Sequence, residues 1–228
     1  AQELKLLPAD HAADDLFGSA VSVSGNVAIV GARRHDHNGT NRGAAYLYNA
    51  TTGEQTFELL ASDGEDYDYF GFSVDVDGGS AIIGARWADV NGTNSGAAYV
   101  FDVTTGLLKT KLLPIDGAEN DAFGHSVAIS GDTAIVGVNM GSGAGAAYLF
   151  DANSGVQLAK LTPSDGLNND YFGASVAISA TTAVVGAKEH DFFGQASGAV
   201  YIFDLITGEE LQKITPTDGA AHDNFGCA

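Results

Sequence analysis

Cysteine is nearly absent from this 228-residue chain: Cys227 is the only one. A single thiol excludes an intrachain disulfide, a cysteine-based metal cluster and a CxxC redox pair. Basic side chains are also scarce, 10 Lys and Arg against 29 Asp and Glu, for a formal net charge of −19. So acidic a surface repels phosphate backbones and anionic lipid, which removes nucleic acid from the expected partners. No uninterrupted apolar run approaches the roughly 18 to 20 residues of a spanning helix, so no membrane insertion is expected. The start, Ala1-Gln2-Glu3, suits a mature end left by signal-peptide removal. No segment shows sustained helical periodicity with caps. With 45% apolar and 17% charged residues, the composition is that of a folded globular chain rather than a disordered one.

Glycine is the residue in excess, at 30, and it is periodic. Phe-Gly occurs at Phe17-Gly18, Phe70-Gly71, Phe123-Gly124, Phe172-Gly173 and Phe225-Gly226, at spacings of 53, 53, 49 and 53 residues. A fixed period of this size marks one structural unit repeated along the chain. The repeats run approximately over 9–61, 62–114, 115–163 and 164–216, with a partial fifth at 217–228. After each of the first four Phe-Gly pairs come an alternating stretch, a near-continuous apolar run ending in Gly, and a Gly-Ala-rich stretch ending in aromatics. In the second unit these are Ser73 to Asp77, Ala81 to Ala85 and Gly96 to Asp102. Their β-branched and aromatic content predicts three strands.

A recurrent turn then leads to a fourth strand: Asn49 to Gly53, Asp102 to Gly106, Asp151 to Gly155 and Asp204 to Gly208. An Asx side chain caps such a turn and Gly supplies a positive φ. Pro8, Pro114, Pro163 and Pro216 stand just after strands of the fourth type, where a missing N–H does no harm. Four short strands per unit of about 50 residues predict an all-β chain built as a β-propeller of four-stranded blades. The Ser-Val-Ala-Ile-Ser type of strand is expected innermost. The pairs Tyr46/Tyr48, Tyr99/Phe101, Tyr148/Phe150 and Tyr201/Phe203 are expected to fill the space between blades.

The order Phe-Gly, apolar strand, apolar strand ending in Gly-Ala, then Gly-Ala-Ala-Tyr resembles the FG-GAP repeats. Those repeats build the N-terminal propeller of integrin alpha chains and many secreted microbial and algal proteins. The resemblance covers nearly the whole chain and implies an extracellular module and seven blades. Two departures stand out. The third residue of the GAP element is Arg33, Arg86, Asn139 or Lys188, never Pro, and the second becomes Val138 in the third unit. The family's Asp-x-Asp-x-Asp-Gly calcium loop is missing between the first two strands, where the turns read Ser24-Gly25-Asn26, Asp77-Gly78-Gly79, Ser130-Gly131-Asp132 and Ser179-Ala180-Thr181. Segments of the fourth-strand type number five, because Glu3 to Pro8 matches Lys111 to Pro114. The surplus suggests a window on a longer array, or terminal strands shared with another subunit.

Aspartate recurs at two fixed registers. One lies seven residues before each Phe-Gly (Asp10, Asp63, Asp116, Asp165, Asp218) and one lies two before it (Asp15, Asp68, Asp121, Asp170, Asp223). Two causes fit: turn and cap chemistry, or a hard cation such as Ca²⁺ held by carboxylates and loop carbonyls. The loop between the second and third strands varies most, which makes it the candidate ligand surface. It carries His35, Asp36 and His37 in the first unit, Asp89 and Asn94 in the second, Gly141-Ser142-Gly143 in the shorter third, and His190, Asp191, Phe192 and Phe193 in the fourth. Asp36/Asn38/Thr40 and Asp89/Asn91/Thr93 match the first alternating ligands of a calcium loop, without its downstream Glu. Asn38, Asn91 and Asn49 also begin N-glycosylation sequons, whereas Asn-Gly is in itself a tight-turn dipeptide. His35, His37 and His190 are expected to be solvated loop side chains.

No Gly-x-Ser-x-Gly elbow is present, and the paired acids recur in every unit, whereas an active site is normally a unique constellation. The chain therefore reads as a noncatalytic extracellular structural or adhesion module. Self-association or another protein is the expected partner, a surface filament or matrix the expected setting. The alternative is a ligand- or carbohydrate-binding propeller, with calcium as the one cofactor considered.

Overall fold

A computed structural model describes residues 3–139, 143–191 and 194–228; the loop positions 140–142, 192 and 193 lie outside the described residues. Among the described residues, sixteen strands form four sheets. The first blade contains β1 (Phe17–Ser24), β2 (Val27–Ala32), β3 (Ala44–Asn49) and β4 (Gln55–Leu59). The second contains β5 (Phe70–Asp77), β6 (Ser80–Ala85), β7 (Ala97–Asp102) and β8 (Leu108–Leu112). β9 (Ser126–Ser130), β10 (Thr133–Val138), β11 (Ala146–Asp151) and β12 (Gln157–Leu161) form the third, and β13 (Phe172–Ile178), β14 (Thr182–Ala187), β15 (Ala199–Asp204) and β16 (Glu210–Ile214) the fourth. Strand order within each sheet follows the chain, and every pairing is antiparallel. This is the meander of a propeller blade. β1 packs beside β5, β5 beside β9 and β9 beside β13, so the first strand of each blade lies innermost, as the small residues there suggest.

The connections follow from the turn residues. Asn49 Oδ1 accepts the N–H groups of Thr51 and Thr52 at 2.9 Å each, and Asp102, Asp151 and Asp204 do the same in their blades. Phe-Gly opens each unit as a hinge between blades: Phe70, Phe123, Phe172 and Phe225 form parallel bridges with Gly43, Gly96, Gly145 and Gly198 of the preceding unit.

The core lies between blades. The trailing face of the first blade (Ile29, Ala45, Leu47, Leu59) packs on the leading face of the second (Phe70, Val74, Val76, Tyr99, Phe101). The same pattern joins Ile82, Val100 and Leu112 to Phe123, Tyr148 and Phe150, and Ile135, Leu149 and Leu161 to Phe172, Tyr201 and Phe203. The aromatics meet edge-on, Phe70 to Tyr99 at 5.4 Å and Phe172 to Tyr201 at 5.4 Å between centroids. The expectation that these rings fill the space between blades is met.

The two outer faces differ from these. Val21 and Val23 on β1 are 67% and 65% exposed, whereas their counterparts Val74 and Val76 on β5 are 8% and 3% exposed. On the fourth blade, Val184, Val200, Ile202 and Ile214 are only half-buried, at positions that are buried in the other blades. Residues 3–8, expected as a fifth strand of the fourth type, are not a strand. No third-type strand pairs with them among the described residues. Leu6 nevertheless packs against the core cluster that holds Val30, Tyr46 and Tyr48, and the Ala9 N–H reaches Gln55 Oε1 as the Ile115 N–H reaches Gln157 Oε1.

Candidate functional site

Beneath the loop that joins its second and third strands, each blade holds a polar niche. In the second blade Tyr99 stands opposite Lys111 across β7 and β8, and both reach Asp63. The Tyr99 hydroxyl donates to Asp63 Oδ1 at 3.1 Å and the Lys111 ammonium to Oδ2 at 2.6 Å. Tyr148 and Lys160 hold Asp116 in the same way, and Tyr201 and Lys213 hold Asp165. This explains the first aspartate register: its carboxylate ties the start of a blade to the third and fourth strands. Burial alone would raise the Asp63 and Asp165 carboxyls, but the lysine and tyrosine donors outweigh it and hold both below the usual range. At Asp116 the Lys160 hydrogen bond is the leading cause of the same shift. Burial, with the neighbouring carboxylate, pushes the Tyr99 and Tyr201 hydroxyls far up, and Tyr148 to about 12.

The second register is a turn cap. Asp15, Asp68, Asp121, Asp170 and Asp223 each accept through Oδ2 the N–H three residues back, at 2.7 to 2.9 Å. The loop acids are caps too: Asp36, Asp89 and Asp191 accept the N–H groups of Asn41, Asn94 and Ala196 at 2.6 to 2.7 Å. Asp191 also lines a polar groove of about 410 Å³ with Asp170, Tyr171, Glu189 and Gln195. Asn38 and Asn91 are exposed on their loops, and Asn38 adopts a φ of 54°. Asn49, the third sequon, has its side-chain oxygen engaged in the turn described above.

The histidines correct an expectation. His35 and His190 are not solvated but 7% and 6% exposed, each wedged between the two register aspartates of its blade. His190 Nδ1 donates to Asp170 Oδ2 at 2.8 Å, while Nε2 lies 2.6 Å from Lys213 Nζ. His35 Nδ1 lies 3.4 Å from Asp15 Oδ2 and Nε2 3.4 Å from Asp10 Oδ2. The physical reason is space: Ala88 stands at the corresponding position in the second blade, leaving a cavity of about 250 Å³ among Asp63, Asp68, Tyr99 and Lys111. An imidazole takes up part of that space and turns Nδ1 to the second-register carboxylate, Asp15 or Asp170. His37 is exposed, and its ring stacks near His35 at 6.2 Å between centroids.

Two features escape a reading by residue type. Glu58 faces Tyr46 at the register where the other blades carry Lys111, Lys160 and Lys213. Aligning the fourth strands would have exposed this charge reversal. The second is a basic, aromatic cluster in an acidic protein. The Arg86 guanidinium lies 3.9 Å from the centre of the Phe72 ring and 4.6 Å from that of Trp87, and Arg33 lies 5.1 Å from Phe72. The cluster lines a cavity of about 90 Å³ with Arg34 and Tyr69. Its signal was the cation standing third in three of the four GAP elements.

No curated protein matches the chain. Among solved structures, it is similar to the computationally designed Ika4 protein, at 19% identity and a TM-score of 0.57, covering 90% of this chain and 98% of that one. It is also similar to the computationally designed Ika8 protein, at 16% identity and a TM-score of 0.52, covering 89% of this chain and 63% of that one. At these identities the likeness concerns the fold. A family model described as FG-GAP repeat matches residues 1–48, 54–101, 108–150 and 156–203. With four tandem matches in register with four propeller blades, the chain belongs to the FG-GAP repeat family.

Proposed function

We propose that this chain is a noncatalytic extracellular structural module whose two open faces accept a further blade of its own kind, supplied by a second copy of the chain. FG-GAP repeats are typical of extracellular and surface proteins and are generally noncatalytic, and the acidic, lysine-poor surface suits that setting. One observation carries the reading. Val21 and Val23 are exposed at positions that are buried against a neighbour in the second blade, while the half-buried Val184, Val200, Ile202 and Ile214 form the complementary trailing face. The contact needed is the one made three times within the chain. It is heterologous, so it closes into a ring or extends into a filament.

Sedimentation velocity from micromolar to millimolar concentration tests this. Self-association is expected, and the double substitution Val21→Glu, Val23→Glu should abolish it while circular dichroism stays unchanged. A monomer throughout, or association indifferent to those substitutions, overturns the reading.

A second reading, recognition of an acidic carbohydrate, is favoured by the Arg33, Arg86, Phe72 and Trp87 cluster, which offers cations and aromatic faces together. Binding of heparin fragments that is lost in Arg33→Ala, Arg86→Ala would support it, and no binding by the native chain would exclude it.

A further inference from the structure

We infer that the first blade carries a site for a divalent cation with nitrogen and oxygen preference, such as Zn²⁺, formed by His35, His37 and Glu58 with Asp10 beside them. The argument begins with a comparison inside the molecule. In the other three blades a lysine ammonium sits 2.6 Å from the register aspartate and supplies the niche with a positive charge. In the first blade that lysine is Glu58, so Asp10 and Glu58 place two carboxylates where the other blades have one carboxylate and one ammonium. A divalent cation restores neutrality at the place where its counterparts keep Nζ.

Geometry selects the ion. His35, His37 and Glu58 each offer one ligand atom, and these atoms all lie within 4.8 Å of one another. Glu58 Oε1 is buried without a hydrogen-bond partner. It lies 3.7 Å from His35 Nε2 and 3.8 Å from His37 Nδ1, and Asp10 Oδ2 lies 3.4 Å from the same His35 nitrogen. A tetrahedral ion with bonds of about 2.0 to 2.1 Å sets its ligand atoms roughly 3.3 Å apart. The contacts at 3.4 to 3.8 Å are within a few tenths of an ångström of that spacing, and the two imidazoles, whose ligand atoms lie within 4.8 Å of each other, close on the ion by movement of the exposed His37 ring. The outer contacts fit as well. His35 turns Nδ1 toward Asp15 Oδ2 and leaves Nε2 for the ion, the arrangement by which a carboxylate orients a ligating imidazole. His190 shows the same orientation in the fourth blade, where its Nε2 meets the Lys213 ammonium. The ion would tie together the segment before β1, the loop between β2 and β3, and β4; lysine joins the first and last of these in the other blades, and Lys213 reaches the loop as well through His190.

Isothermal titration of the untagged, metal-stripped chain with Zn²⁺, and with Co²⁺ for its visible spectrum, tests the site. One equivalent is expected, with a Co²⁺ spectrum of tetrahedral type and a higher unfolding midpoint, since an ion bound only by the folded state stabilises it. Glu58→Lys rebuilds the arrangement of the other blades, so it should fold and lose the equivalent; His37→Ala, at an exposed position, should weaken binding at least tenfold. His222→Ala, on an exposed turn elsewhere, should change nothing. Absence of stoichiometric binding by the native chain, or full binding by Glu58→Lys, overturns the inference.

Discussion

Gly84 of the second blade lies against the backbone carbonyl of Gly124 of the third, so close that a β-carbon on Gly84 would collide with the carbonyl oxygen and with Ser73 Oγ. Gly31 meets Gly71 in the same way, Gly137 meets Gly173, and Gly186 meets Gly226. The glycine of the apolar strand and that of the next Phe-Gly are thus one device. Each removes a side chain where successive blades pass backbone to backbone, and Ser73, Ser126 and Ser175 seal the approach by donating to the facing carbonyl at 2.8 to 3.0 Å.

Gly84→Ala is therefore expected to destabilise the chain by about 1 to 3 kcal/mol through overpacking against rigid backbone. Gly79→Ala is its control. Nothing lies within 4 Å of a β-carbon there, so urea unfolding should show a change within about 0.5 kcal/mol.

The blade pattern was legible in the sequence because it depends on repetition: Phe-Gly, the apolar runs and the Asx-Gly turns recur at fixed offsets, and each has one local cause. The niche was legible only in part. Ten aspartates at two registers demanded a shared explanation, but their partners, Tyr99 and Lys111 for Asp63, lie 36 and 48 residues away and meet it only through strand pairing. His35 was misjudged for a related reason. Loop position suggested solvent, whereas the ring is drawn down between Asp10 and Asp15 by a cavity that local sequence does not display.

Within the niche, the hydroxyl should matter more than the ammonium. Tyr99→Phe removes a donor to Asp63 from a buried ring and is expected to cost about 1 to 2 kcal/mol. Lys111→Met breaks an ion pair whose carboxylate is half exposed, so solvent screening holds the loss below about 1 kcal/mol. Chemical denaturation of both variants checks the order, and a larger loss for Lys111→Met would reverse it.

Calcium at the register aspartates of the second, third and fourth blades would have to displace partners already present. Both oxygens of Asp63, Asp116 and Asp165 accept hydrogen bonds, one from tyrosine and one from lysine. Excess Ca²⁺ followed by EDTA should therefore leave the thermal unfolding midpoint within about 1 °C, because a cation bound only by the folded state would raise it. A rise that EDTA reverses, and that persists in Glu58→Lys, would assign calcium to these registers.

Two buried groups should give the stability curve opposing slopes in mildly acid solution. Burial pushes Asp68 up from 3.8 to about 6, with Glu65 and Asp89 adding to the shift. The folded chain then holds that proton more tightly than the unfolded one, so this contribution is greatest below about pH 4 and is lost as pH rises through 6. Burial pushes His125 down from 6.5 to about 4, helped by the charges of Arg86 and Lys188. Its contribution is whole above pH 6.5 and is lost as pH falls toward 4. Each is on the order of 2 to 3 kcal/mol at its extreme, and they offset one another between pH 4 and 6. Asp68→Asn keeps an oxygen for the Glu65 N–H, so it should stabilise the chain by about 2 kcal/mol at pH 7 and by nothing near pH 4. His125→Gln should leave stability at pH 7 little changed and raise it progressively below pH 6. Urea midpoints for the three proteins across pH 4 to 7.5 separate the slopes, and a difference from the native chain that stays flat with pH would sink the assignment for that residue.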